Sequence, residues 1–274
     1  NFTEIASLFQ SAKAVKTVSK PCDLGTVLEH AWNDLEMGQR GREISDRQRG
    51  ATARAVAHIR ESYDRSLVHP PRFNPLSILW RLGVAVDRSL RAARGTPSKP
   101  VISVGNLSMG GSGKTPFVLW LAGRLTAAGY RPAVLMRGYR RDGSQAVLAL
   151  SNTGEEAQLV LRVADAGIGA NRREAMQLLE TNYGSDVFIL DDGFQHWPLA
   201  RSLDIVLIDA IDPFRNGLPP RGQLREPFSS LARAHIIVLT RTQSGLAHTG
   251  LVEEIRRHNP SAPLFRARVV AAGP

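Results

Sequence analysis

The sequence predicts an α/β fold: a mostly parallel sheet with helices on both faces, preceded by an α-helical N-terminal segment. Three observations carry this. Short, near-continuous apolar runs recur after Pro100 and alternate with helix-like stretches, as strands buried on both faces do. A glycine-rich loop joins the first of these runs to the first such helix. A later run, Val187-Phe188-Ile189-Leu190, ends in two adjacent aspartates.

The elements follow in order. Residues 1–66 read as two or three helices, with Ile5, Leu8 and Phe9, then Leu24, Val27, Leu28 and Trp32, at helical spacing. An Arg-rich stretch over about 45–63 supplies the last of them. The segment His69-Pro70-Pro71-Arg72-Phe73-Asn74-Pro75 then breaks any helix and marks a boundary. Over 76–94 a helix places Leu79, Leu82, Val86 and Leu90 on one stripe, with Arg81, Arg88, Arg91 and Arg94 largely off it. Such a helix either lies in a membrane interface or packs on the domain with its arginines in water. Strands are expected at 101–104, 133–136, 187–190, 205–208 and 236–239, with a helix over 117–128.

The chain has 274 residues and a formal net charge of +10, which suggests an anionic partner. Between Met37 and Pro100, thirteen basic residues stand against five acidic ones, so most of the excess precedes the glycine loop. The bland reading of that run is a solvated helix surface. Cys22 is the only cysteine, which excludes an intrachain disulfide and a Cys-rich metal site. No apolar run reaches the roughly 18 residues needed to span a bilayer, and the first residues lack the features of a signal peptide.

The glycine loop reads Ser108-Met109-Gly110-Gly111-Ser112-Gly113-Lys114-Thr115. Between a strand and a helix, it is a phosphate-binding loop and makes the fold P-loop NTPase-type. Glycines let backbone N–H groups converge on phosphate oxygens, and the helix N-terminus adds its dipole. Lys114 would reach the β- and γ-phosphates of a nucleoside triphosphate, and Thr115 would bind Mg²⁺. Asp191 and Asp192 sit where a strand delivers carboxylates to the sheet's C-terminal edge, and are expected to hold the same Mg²⁺. His196, in Gly193-Phe194-Gln195-His196, would contact nucleotide or substrate, or serve structure alone. Arg221 and Arg225, in a Pro/Gly-rich loop, would clamp an acceptor phosphate or remain ordinary surface arginines.

Together these motifs resemble the tetraacyldisaccharide 4'-kinase family of lipid A biosynthesis. The stretches that carry the resemblance are Val104-Gly105-Asn106-Leu107-Ser108 through Thr115, Arg137-Gly138-Tyr139, Asp191-Asp192-Gly193-Phe194-Gln195-His196 and Leu224-Arg225-Glu226-Pro227. It covers about 73–274, and Ser108, where a phosphate loop usually opens on glycine, belongs to the family's pattern. The resemblance implies transfer of the ATP γ-phosphate to the 4'-hydroxyl of tetraacyldisaccharide 1-phosphate, a lipid A disaccharide precursor, giving lipid IVA. It also implies peripheral attachment to the cytoplasmic face of the bacterial inner membrane through helix 76–94, and contact of Arg221 and Arg225 with a lipid phosphate. Catalysis would fall to Lys114, Asp191 and Glu155. Glu155 stands in Gly154-Glu155-Glu156-Ala157, where the family carries Gly-Asp-Glu-Pro and its Asp activates the acceptor.

Residues 1–66, from Asn1-Phe2-Thr3-Glu4-Ile5 onward, resemble the C-terminal end of a 3-deoxy-D-manno-octulosonic acid (Kdo) transferase. The family's His-rich segment would lie beyond Pro274. The expectation is therefore a piece of a transferase–kinase fusion: a helical remnant over 1–66, a linker and interfacial helix over 67–99, and a C-terminally truncated kinase domain over 100–274. The alternatives are an ATP-binding module that cannot turn over, and an NTPase switch using its basic segment on a polyanion. No RNA- or DNA-binding motif and no Asn-Lys-x-Asp element is present, so nucleic acid is not an expected partner.

Overall fold

A computed structural model describes residues 2–18, 20–48, 50–66, 70–71, 74–92, 96–137, 147–148, 155–243 and 246–270. It divides into two compact units, 1–62 and 63–274. The first contains α1 (Phe2–Ser11), α2 (Leu24–Trp32), α3 (Met37–Gln48) and α4, which runs across the boundary (Ala51–Ser66). The Arg-rich stretch is thus two helices rather than one, divided at Gly50, whose φ of +79° ends a right-handed helix at little cost to glycine. Arg40 ties this unit together by reaching the carbonyl of Lys13 (3.1 Å) and the carboxylate of Asp34 (2.6 Å). Among its described residues Ile44 alone is buried, while Leu28, Trp32, Leu35 and Ile59 are exposed.

The second unit opens with α5 (Ser77–Leu90), shorter than the 76–94 expected. It continues as β1 (Val101–Asn106), α6 (Lys114–Ala127), β2 (Pro132–Met136), β3 (Val147–Leu148), α7 (Glu155–Val160), β4 (Asp165–Ile168), α8 (Arg172–Tyr183), β5 (Val187–Asp191), β6 (Leu203–Asp209), β7 (Ile236–Thr240), α9 (Thr249–His258) and β8 (Leu264–Arg266). The strands form one sheet in the order β3-β4-β2-β5-β1-β6-β7-β8. All neighbours are parallel except the edge pair β3 and β4.

Period-two alternation splits each central strand between two cores. On one face Val134, Ile189, Ile205, Leu207 and Val238 pack with Val118 and Ala122 of α6 and Ala157 and Val160 of α7. On the other, Ala133, Leu135, Phe188 and Leu190 pack with Ala175, Met176 and Leu179 of α8. Further along that second face Val206, Ile208, Ile237 and Leu239 meet Phe214, Phe228, Leu231 and, from α9, Leu251 and Ile255. Both faces are covered, so these strands read as unbroken apolar runs.

The apolar stripe of α5 does not face the domain. Leu79, Leu82, Val86 and Leu90 are all more than half exposed, whereas Ser77 is buried and Trp80 and Val84 are partly buried. The indole of Trp80 donates to the carbonyl of Arg225 (2.9 Å), and the Arg88 guanidinium lies 5.3 Å from the Trp197 ring centre. The proline break contributes Pro70 and Pro71 to a cleft beside α5; His69, Arg72 and Phe73 lie outside the described residues, as does Arg94.

One close approach governs the end of β1. A Cβ on Gly105 would come within 2.5 Å of the Phe194 Cβ and 2.7 Å of its backbone nitrogen. Both neighbours are fixed, Phe194 being fully buried. Gly105→Ala is therefore expected to destabilise the domain by about 1–3 kcal/mol through overpacking. Denaturant unfolding of the variant beside the unmodified protein checks this; equal midpoints would contradict the packing described.

Candidate active site

The site forms at the C-terminal ends of β1, β5 and β6, where strand order reverses from the β5 side of β1 to the β6 side. In open α/β sheets ligands settle at such a switch point. The register puts Val104 of β1 beside Asp191 of β5, so the strand that leads into the phosphate loop neighbours the one that ends in the aspartates. Gly113 precedes α6 with φ +77°, and Gly110 has φ +101°; both are left-handed conformations that glycine adopts without strain. Asn106, fully buried, donates to the hydroxyls of Ser112 (2.7 Å) and Ser108 (3.3 Å), tying the start and the middle of the loop to β1.

Lys114 leaves the first turn of α6 and approaches Asp192 Oδ1 at 3.4 Å. Arg225 reaches the other oxygen of the same carboxylate at 2.5 Å and also donates to Gln195 Oε1 (3.4 Å). Burial works to raise the pKa of Asp192, but the charges of Lys114 and Arg225 outweigh it and hold the carboxyl below its usual range. Asp191 goes the other way. Burial, and then the negative charge of Asp192, push its pKa up to about 6. Asp191 Oδ1 is buried and takes no hydrogen bond from the described residues. A buried carboxylate oxygen without a donor, next to a second carboxylate, supplies oxygen ligands of the kind a hard divalent cation takes.

His196 is partly buried. Burial, followed by the charges of Arg172 and Arg201, lowers its pKa to about 4, so its ring is neutral at physiological pH. Its main chain is held at both ends, the N–H donating to Gly193 (2.9 Å) and the carbonyl accepting from Arg201 (2.5 Å). Glu155 opens α7 and is exposed; the carboxylate of that pair whose charge bears on Asp191 is the next one, Glu156.

The two arginines expected to act together part company. Arg225 is drawn into the aspartate pair, whereas Arg221 is exposed and lines the cleft with Asn74, Arg81, Phe214 and Phe228. Their loop is anchored to the phosphate loop itself. Met109 N–H donates to the Gln223 carbonyl (2.7 Å), Arg225 N–H donates to the Leu107 carbonyl (2.6 Å), and Ser108 bridges to Leu224.

Residues that motif reading passed over complete the site. Buried Glu226 accepts from Gln195 (2.9 Å) and from both terminal nitrogens of Arg233 (2.7 and 2.8 Å). Arg233 in turn lies 3.9 Å from the Phe194 ring centre. Buried Arg172, at the start of α8, donates to the Gly169 carbonyl (2.5 Å), and its charge bears on Asp191, Asp192 and His196. Glu226 stood within a quoted motif and could have been found there; nothing local in the sequence marks Arg172 or Arg233. Gly138, Tyr139 and Gly154 lie outside the described residues.

Comparison with known proteins agrees with this geometry. A family model described as Tetraacyldisaccharide-1-P 4'-kinase (LpxK) matches residues 71–272. The tetraacyldisaccharide 4'-kinase of Syntrophobacter fumaroxidans is 42% identical over 212 residues, covering 72% of this chain and 55% of the relative. That of Pelodictyon phaeoclathratiforme is 37% identical over 227 residues, covering 73% of this chain and 63% of the relative. The chain thus spans only part of the length of the curated relatives it matches. Among solved structures, LpxK from Aquifex aeolicus in complex with ATP superposes with a TM-score of 0.56 at 31% identity, over 70% of this chain and 62% of that one. With the match running from Pro71 to the end of the sheet and through both charged motifs of the site, the chain belongs to the tetraacyldisaccharide-1-P 4'-kinase family.

Proposed function

We propose that the protein transfers the γ-phosphate of ATP to the 4'-hydroxyl of a tetraacylated glucosamine disaccharide 1-phosphate, giving lipid IVA and ADP. The observation that carries this is the convergence of Lys114 and Arg225 on Asp192, beside Asp191 with its donorless oxygen, in a member of this family. The acceptor oxygen forms a bond to phosphorus as the bond to the β-phosphate oxygen breaks, and the acceptor's proton must go to a base.

The phosphate loop, Ser108 to Thr115, would cradle the triphosphate, with Lys114 on its terminal oxygens. Thr115, Asp191 and Asp192 would hold Mg²⁺, which supplies charge neutralisation at the phosphoryl oxygens. Glu155 is our candidate for the proton acceptor, and the electrostatic link from Glu156 to Asp191 makes its neighbour the control for that assignment. Neutral His196 would bond to substrate as a polar group rather than as a charge. Arg221, with Arg81 across the cleft, would face an anionic part of the lipid.

The exposed stripe of α5, with Arg81, Arg88 and Arg91 beside it, supports attachment to the cytoplasmic surface of the inner membrane. No helix among the described residues is long and apolar enough to cross a bilayer. For residues 1–66 our reading is the end of a Kdo transferase, whose acceptor would be the product of the attached kinase.

Three outcomes test the reading. With Mg-ATP and disaccharide 1-phosphate, the protein should form a 4'-phosphorylated product and Lys114→Ala should not, with a loss of at least about a hundredfold; an unchanged Lys114→Ala rate would contradict the role of the loop. The pH dependence has a definite sign. Because Asp191 is raised to about 6, divalent-cation affinity should fall as pH drops through about 6. The same raised value means that its stabilising contribution is complete below the ordinary carboxylate range and is lost as pH rises through 6. Asp191→Asn should therefore raise Tm at pH 8 but not at pH 4, and should abolish the cation inflection, whereas His196→Gln should leave it. Finally, the protein should co-sediment with anionic phospholipid vesicles. Leu82→Glu combined with Val86→Glu should weaken this about tenfold or more, judged from the apolar area withdrawn, without changing the unfolding midpoint.

A further inference from the structure

The phosphate loop is held from a side the family motifs do not mention. Asp209 and Thr240 are register partners at the C-terminal ends of β6 and β7, on the opposite side of β1 from Asp191. Asp209 is 2% exposed and carries two guanidiniums: Arg241, through Nε (2.9 Å) and Nη2, and Arg215, through Nη2 (3.1 Å). The same Nη2 of Arg215 donates to the carbonyl of Gly111 (3.3 Å). Thr240, 5% exposed, donates its hydroxyl to the carbonyl of Ser112 (2.7 Å). Two successive loop carbonyls are therefore pinned by side chains of two other segments.

Peptide planarity gives this a directional consequence. In a trans peptide the C=O and the N–H of the next residue point opposite ways and cannot turn independently. Holding the Gly111 carbonyl toward Arg215 turns the Ser112 N–H to the other side. Holding the Ser112 carbonyl toward Thr240 does the same for the Gly113 N–H. Successive N–H groups presented on one side, with a left-handed Gly113 among them, form an anion-binding concavity.

We propose that Thr240 and the Asp209–Arg215 pair are positioning residues for polyphosphate binding: they orient the Ser112 and Gly113 amides before nucleotide arrives. The inference rests on the nucleotide-binding reading of the loop and adds that its shape is imposed from β6 and β7. Donors fixed in advance bind more tightly than donors that must be ordered on binding.

The test measures the affinity of the full chain for ATP and for inorganic tripolyphosphate by calorimetry, with Tm as a control on folding. Thr240→Val, which removes the hydroxyl and keeps the shape, should weaken both ligands by about tenfold, the order expected for one hydrogen bond lost. Thr240→Ser, which keeps the hydroxyl, should stay within about twofold of the unmodified protein. Arg215→Met, at a less buried position, should weaken both by about fivefold and carries the test should Thr240→Val not fold. The inference is overturned by unmodified affinity in the folded variants, by equal losses in Thr240→Ser and Thr240→Val, or by a loss confined to ATP. Failure of the unmodified chain to bind either ligand would instead overturn the kinase reading, and this inference with it.

Discussion

Asp191 and Asp192 follow one another at the end of a buried strand, and two carboxylates so placed resist joint ionisation unless cations answer them. Lys114 and Arg225 converge on Asp192 and keep it charged, leaving Asp191 with a pKa near 6 and an oxygen without a donor. The pair is thus half neutralised by the protein and half prepared for something else. Each cation arrives from a different segment, so the phosphate loop, the strand end and the 216–226 loop must all be in register before the site exists. The backbone bonds from Arg225 to Leu107 and from Met109 to Gln223 provide that register.

Much of this was legible in the residues. The five central strands announced themselves because both faces are covered, which removes polar positions from the run. β4 did not, since it reads Asp165-Ala166-Gly167-Ile168. Gly167 is required there because a Cβ would lie 2.9 Å from Leu179 and 3.1 Å from Ala175. The sheet's small residues, chosen for helix packing, hide it from a search for apolar runs. β3 and β8, two and three residues long, offer no pattern at all.

The glycine loop and the aspartates stood out in the sequence because their residue types are rare in combination. The capture of Arg225 by Asp192, and its separation from Arg221, was not foreseeable, since thirty-three positions separate the partners and only the fold brings them together. Asp209 is the instructive miss. It closes the run Ile205-Val206-Leu207-Ile208 just as Asp191 closes Val187-Phe188-Ile189-Leu190. A buried strand that ends in a carboxylate at the sheet's C-terminal edge is one signal, and it occurs here twice, on either side of β1.

The indole of Trp80 has a mechanical meaning. Arg225 donates its N–H to the Leu107 carbonyl and accepts at its own carbonyl from the Trp80 indole, so its main chain is held by β1's exit on one side and by α5 on the other. Its side chain, meanwhile, shares with Lys114 the task of keeping Asp192 charged. A helix whose outer surface is oily and whose inner surface is hydrogen-bonded to the main chain of a charge-setting arginine is a lever with a short arm. The seating of α5 and the electrostatics of the aspartate pair thus meet at a single residue.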